Sequence, residues 1–199
     1  MIKYISLDLQ GTLSKSTYSD NFWLNILPIK YAEKFNISLE ESKQILKEKF
    51  KEYGVYNILY YDDNYWSKYL NFDTKEELDK SGIKPEIDQK LYNYIMNLKL
   101  PKIIISTTTN LFINLELENR VNDFYKIYSC VDYFKTGGKT TDIYEKVYKE
   151  LKVKPDEILH IGDNKLMDID NANLVGIQTI FYDENSEDTI NKIKIKLEE

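Results

Sequence analysis

Five short runs of apolar, largely β-branched residues punctuate the chain. The first covers residues 2–8, and the others cover 102–106, 127–131, 157–161 and 177–182. Runs of this length and composition read as buried strands. Between the last four, apolar residues recur every three or four positions at 110–121, 142–151 and 165–174, and again from Ser186 onward, which predicts helices. Strand and helix alternating in this way predict a parallel sheet with helices across its faces. From about residue 18 to 100 the pattern is helical and rich in aromatic residues instead. Ser38-Leu39-Glu40-Glu41 has the form of a capping box, with Ile45, Leu46 and Phe50 following at helical spacing and Gly54 as a stop. Thr74-Lys75-Glu76-Glu77 marks a second start, and Pro85 is expected to open a last amphipathic helix through Leu91, Ile95 and Leu98. The expected architecture is an α/β sheet domain built from residues 1–16 and 101–199, with a helical domain, residues 17–100, inserted into it.

Composition narrows the class without changing this picture. The chain has 199 residues, 42% hydrophobic and 30% charged, and no apolar stretch approaches the length of a membrane span. A net charge of −6 argues against a nucleic-acid partner. Cys130 is the single cysteine, so no intrachain disulfide is possible; a small buried residue in a strand is its expected role. The start runs directly into the first strand with no secretory leader pattern, which makes the cytoplasm the expected location.

Candidate chemistry lies just past the strand ends, where open parallel sheets bind ligands. Asp8, Ser106, Lys139 and Asp163 occupy such positions. Two carboxylates suit a hard cation such as Mg²⁺, a lysine and a hydroxyl suit a phosphoryl group, and a carboxylate can act as nucleophile.

Asp8-Leu9-Gln10-Gly11-Thr12-Leu13 resembles the first motif, Asp-x-Asp-Gly-Thr-Leu, of the haloacid dehalogenase superfamily. Ile103-Ile104-Ile105-Ser106 resembles the second, Gly138-Lys139-Thr140-Thr141-Asp142-Ile143-Tyr144 the third without its prolines, and Ile158-Leu159-His160-Ile161-Gly162-Asp163 with Asp168 the fourth. The resemblance spans the sheet domain in order. It implies a Rossmann-like core, a mobile helical cap over the site, and Mg²⁺-dependent hydrolysis of phosphate esters through an aspartyl-phosphate. It further implies that Asp8 is nucleophile and metal ligand, with the Gln10 backbone carbonyl and Asp163 completing the ligands and Asp168 supporting them. Lys139 is implied to neutralise the phosphoryl group, which Ser106, Thr107 and Thr12 contact. His160, inside a strand, reads as a core histidine with its hydrogen bonds satisfied.

Gln10 departs from the family pattern, because the family's phosphatases carry there the acid that protonates the leaving oxygen. A glutamine amide donates a hydrogen bond but exchanges no proton near neutral pH. Slow turnover of a small phosphorylated metabolite is therefore expected, with a weakly active or inactive phosphate-binding protein as the alternative. A dehalogenase is the less favoured reading, since the insert contains no arginine to grip halide and carboxylate. Phe22, Trp23, Tyr60, Tyr61 and Trp66 are candidates for a ring-stacking pocket in the insert, although aromatic stripes more often form core.

Overall fold

A computed structural model describes residues 1–198. Strands β1 (Tyr4–Leu7), β2 (Lys102–Ser106), β3 (Lys126–Ser129), β4 (Ile158–Gly162) and β5 (Gln178–Phe181) form one parallel sheet in the order β3-β2-β1-β4-β5. The chain builds outward from β1 on one side, then crosses to its other side for β4. This makes β1 the switch point, with Ser6 registered between Ile103 of β2 and His160 of β4. Asp8, one residue beyond β1, therefore lies where a ligand crevice opens. β2 and β4 are buried along their whole length, which is why their sequences are continuous apolar runs rather than alternating ones.

The insert consists of α1 (Thr17–Asn21), running through a π-helical turn at Phe22–Ile26 into α2 (Leu27–Phe35), then α3 (Leu39–Tyr53), α4 (Asp63–Leu70) and α5 (Thr74–Ser81). Ser38 caps α3 by accepting from the Glu41 N–H at 3.2 Å. Leu27, Leu46, Trp66 and Leu70 form a small core of its own. A further cluster of Tyr18, Phe22, Ile26 and Leu78 takes in Phe112 of α7 (Asn110–Leu117), so the insert is seated on the sheet domain through one buried ring.

Three expectations shift. Pro85 does not open the last helix of the insert; Ile87 forms an antiparallel bridge to Ser14, and α6 (Gln89–Asn97) starts beyond it. Asp88 is the cap, its Oδ1 accepting from the Leu91 N–H at 3.0 Å. Second, α6 packs away from the other inserted helices. Leu91 and Ile95 join Leu7, Ile104, Leu159 and Ile161 in the cluster on one sheet face, beside α7 and α10 (Ser186–Glu198). The α6 stripe thus packs on the sheet although the helix lies within the expected insert, residues 17–100. Third, Cys130 is buried but lies one residue beyond β3, not within it. The opposite sheet face is covered by α8 (Thr141–Leu151) and α9 (Asn171–Leu174) over Ile103, Ile105, Tyr128 and Ile158. Among the described residues no helix is long and apolar enough to cross a membrane.

Candidate active site

Asp8, Lys139 and Asp168 form a buried line of charges beyond the carboxyl ends of β1 and β4. Lys139 Nζ lies 2.7 Å from Asp8 Oδ2, contacts Asp168 Oδ1, and is 3.5 Å from the Ile105 carbonyl. A lysine with 1% of its side chain exposed has been taken out of water, and only paired charges make that tolerable. Burial alone would lower its pKa, but the two carboxylates outweigh burial and hold it well above the usual lysine range. Burial together with the charges of Asp168 and Asp163 raises Asp8, with Lys139 offsetting part of the effect. Asp168 moves the other way, because Lys139 and His160 overcome its burial and keep it ionised.

His160 explains how Asp168 is held. Burial lowers its pKa and leaves the ring neutral. The ionised Asp168 only accepts, so Nε2 carries the proton and donates to Asp168 Oδ1 at 3.0 Å, which leaves Nδ1 to accept from Ser6 Oγ at 2.7 Å. Asp168 Oδ2 accepts from the Asn164 N–H at 2.9 Å, which commits both oxygens within the protein. The expected helix over 165–174 is a π-helical turn, Lys165–Asp170, followed by α9, and that wider turn carries Asp168.

Asp163 stands on the cleft side of the same cluster, its Oδ1 accepting from Thr12 Oγ1 at 3.0 Å. One carboxylate oxygen from each of Asp8, Asp163 and Asp168 lies within 4.8 Å of the other two. Two glycines make this crowding possible. A Cβ at Gly11, whose φ is +82°, would stand 2.3 Å from Asp163 Oδ2, and one at Gly162 would stand 2.3 Å from the Asp168 carboxyl carbon. Gly162→Ala is accordingly expected to cost about 2–3 kcal/mol, read as a lowered urea midpoint, with loss of any divalent-cation stabilisation.

Gln10 is turned away from proton chemistry by a residue the sequence reading did not single out. Its Nε2 donates to Glu116 Oε1 at 2.6 Å and to Thr108 Oγ1 at 3.4 Å. The amide nitrogen of Gln10 thus faces α7, and the residue also lines the cleft. Glu116 is 1% exposed, and burial pushes its carboxyl up to about 7, against the pull of Ser14 and Gln10. The folded state thus holds this proton more tightly than the unfolded chain does. The associated stability is complete below about pH 4.5 and is lost as pH rises through about 7. Glu116→Gln is expected to remove this slope, leaving the variant more stable than wild type at pH 8 by on the order of 3 kcal/mol, as measured by denaturant titration across pH. An acid on the apolar stripe Phe112, Ile113, Glu116, Leu117 was the sequence signal available for it.

Of the expected phosphate contacts, Thr107 lines the cleft, whereas Ser106 is fully buried with its Oγ unpartnered among the described residues. Thr12 is occupied with Asp163. The cleft, about 1130 Å³, lies between the sheet domain and the insert. Of the five candidate aromatics, Trp23, Tyr60 and Tyr61 line it, while Phe22 and Trp66 are core. The insert lies close against the loop bearing Lys139. A Cβ at Gly137 would stand 2.3 Å from the Asn57 carbonyl oxygen, and Asn171 Nδ2 donates both to Tyr56 Oη at 3.2 Å and to the Lys139 carbonyl at 2.8 Å. Asp63 of α4 accepts from Thr109 Oγ1 at the start of α7, a second polar contact between insert and core.

A parallel sheet with β1 at its switch point, helices inserted between β1 and β2, and a carboxylate pair around a buried lysine at the strand ends mark an α/β protein with a polar site at its ligand crevice. A sequence profile described as haloacid dehalogenase-like hydrolase matches residues 2–176, and the chain belongs to that family. No curated protein sequence matches it significantly. Solved structures share the fold at low identity. A HAD phosphatase from Thermococcus onnurineus is 18% identical with a TM-score of 0.76, covering 92% of this chain and 87% of its own. A protein described as a predicted phosphoglycolate phosphatase from Haemophilus somnus is 13% identical with a TM-score of 0.56, covering 90% and 84%. A 2-haloacid dehalogenase from Pseudomonas syringae is 15% identical with a TM-score of 0.55, covering 92% and 86%.

Proposed function

We propose that this hydrolase cleaves small phosphorylated metabolites with Mg²⁺ as cofactor, forming an aspartyl-phosphate on Asp8. The observation that carries the reading is the Lys139 ammonium held 2.7 Å from Asp8 Oδ2 with Asp163 and Asp168 alongside. The donor set is all oxygen, which suits a hard divalent cation. Asp8 and Asp163 would hold it with the Gln10 backbone carbonyl, and Asp168, tied to Lys139, His160 and the Asn164 N–H, would support them. When bound, the cation neutralises phosphoryl charge.

The remaining steps fall to the chain. Lys139 and the Leu9 N–H, which donates to Asp8 Oδ1 at 2.7 Å, orient the nucleophile. An Asp8 oxygen bonds to phosphorus as the bond to the leaving oxygen breaks. Thr107, which lines the cleft just past β2, would make the phosphoryl contact there, with the unpartnered Ser106 hydroxyl buried behind it. Because Gln10 supplies no proton, the leaving oxygen takes one from solvent, which favours acyl or aryl phosphates whose oxygen leaves without protonation. Water then attacks phosphorus and frees Asp8.

A phosphate-release panel tests this: activity on p-nitrophenyl phosphate or acetyl phosphate with Mg²⁺ is expected to fall to background in EDTA and return on adding the metal. Release that is indifferent to chelation would overturn the proposal. The lock between Gln10 and Glu116 also favours a second reading, in which phosphate ligands bind tightly but turn over hardly at all.

A further inference from the structure

The face of α3 that closes the cleft carries more than apolar side chains. Lys43, Lys47 and Lys51 recur at every fourth residue and line the cleft beside Leu46 and Phe50 of the same helix. The row extends about 12 Å along the helix axis. Its ammonium groups have no carboxylate within 4 Å among the described residues, whereas Lys30, Lys75, Lys80 and Lys149 are each paired. Glu40, Glu41, Glu48 and Glu52 of α3 are not among the residues lining the cleft, and the one acid of the insert that does line it, Asp20 of α1, accepts from Ser16 Oγ. Asp8 and Lys139 at the floor, the rings of Trp23, Phe50 and Tyr60, and the three α3 lysines all line this one cleft.

Three unpaired cations line one cleft, apart from the lysine that serves the nucleophile, and a substrate whose only charge is a phosphoryl group at Asp8 and Lys139 leaves them with no anion to meet. We infer that the leaving group carries a second anionic group, carboxylate or phosphate, joined to the scissile phosphoryl group by a flat or apolar body. In that arrangement the rings of Trp23 and Tyr60 pack on the body and the α3 lysines take the distal charge. This rests on the phosphoryl end being held at Asp8 and Lys139.

Phosphonates, which are not hydrolysed, test the subsite apart from the reaction. Benzylphosphonate, 4-carboxybenzylphosphonate and p-xylylene diphosphonate are titrated calorimetrically into the full chain with Mg²⁺. At least one of the two-anion probes is expected to bind about tenfold or more tightly than benzylphosphonate, and the tighter of them identifies the second anion. Changing Lys43, Lys47 and Lys51 together to Gln should erase the preference and changing them to Arg should retain it. Lys49→Gln, on the same helix outside the cleft, should leave it intact. Equal affinities in the wild type, no binding of any probe, or a preference that survives the triple Gln variant would overturn the inference. A preserved preference in a protein that shows no chelator-sensitive phosphate release would remove the proposed reaction and leave the subsite standing.

Discussion

Asp8→Asn is expected to abolish phosphate release, by at least about 10³-fold, without destabilising the fold. The replacement keeps the shape and can still accept from the Leu9 N–H through its carbonyl. It removes the nucleophilic charge. Stability discriminates between a catalytic acid and a turn-capping one. Burial and the neighbouring carboxylates Asp168 and Asp163 raise Asp8 in the folded state, so its contribution declines as pH climbs above the ordinary carboxylate range. Lys139 keeps Asp168 as a partner in the variant. Asp8→Asn should therefore melt at or above the wild-type temperature at pH 8 in the absence of added metal. An acid that merely capped a turn would give the opposite pattern: retained activity and a lower melting temperature.

Gln10→Asp is the second large effect, and Glu116 sets its size. A general acid at this position is worth about 10²–10⁴ in rate. The substitution, however, withdraws the amide that donates to Glu116 Oε1 at 2.6 Å and puts a second carboxylate near a buried one. The single variant should lose about 1–3 kcal/mol through the orphaned group and gain only part of the rate, roughly tenfold. Combining it with Glu116→Gln restores a donor between the positions. The double variant is expected to recover wild-type stability and reach the full increase, measured as kcat on p-nitrophenyl phosphate. A double variant no faster than the parent would show that proton transfer at residue 10 does not limit the reaction.

The strand ends were legible because a polar residue closing an apolar run is conspicuous in a short window: Asp8, Ser106 and Asp163 each stand out this way. What a window cannot show is the partner. Gln10 and Glu116 are 106 positions apart, and their hydrogen bond exists only because α7 packs beside β1. The two oxygens of Asp168 were likewise invisible, since their commitment depends on His160 from the adjacent strand and on a wider helical turn. Helix α6 illustrates a different limit. Its apolar stripe predicts burial, but either the insert or the sheet could cover Leu91 and Ile95. Pro85 misplaced the helix start because proline also suits the extended bridge that Ile87 makes with Ser14. The row of Lys43, Lys47 and Lys51 was readable as a stripe, yet only the packing of the insert against the sheet domain shows that it lines the cleft.

The buried charges at the floor of the cleft are also expected to set the order of binding in solution. Asp8, Asp163 and Asp168 crowd one ammonium there, so seating a phosphate dianion against them calls for a further positive charge. Free phosphate should bind feebly in chelator and firmly once a divalent cation is supplied, and rapid-mixing kinetics should follow a compulsory sequence in which cation loading comes before substrate. At low cellular Mg²⁺ the α3 lysines would still attract anions while the floor held them only weakly. The cleft would then act as a holding site whose commitment to reaction is set by ion supply.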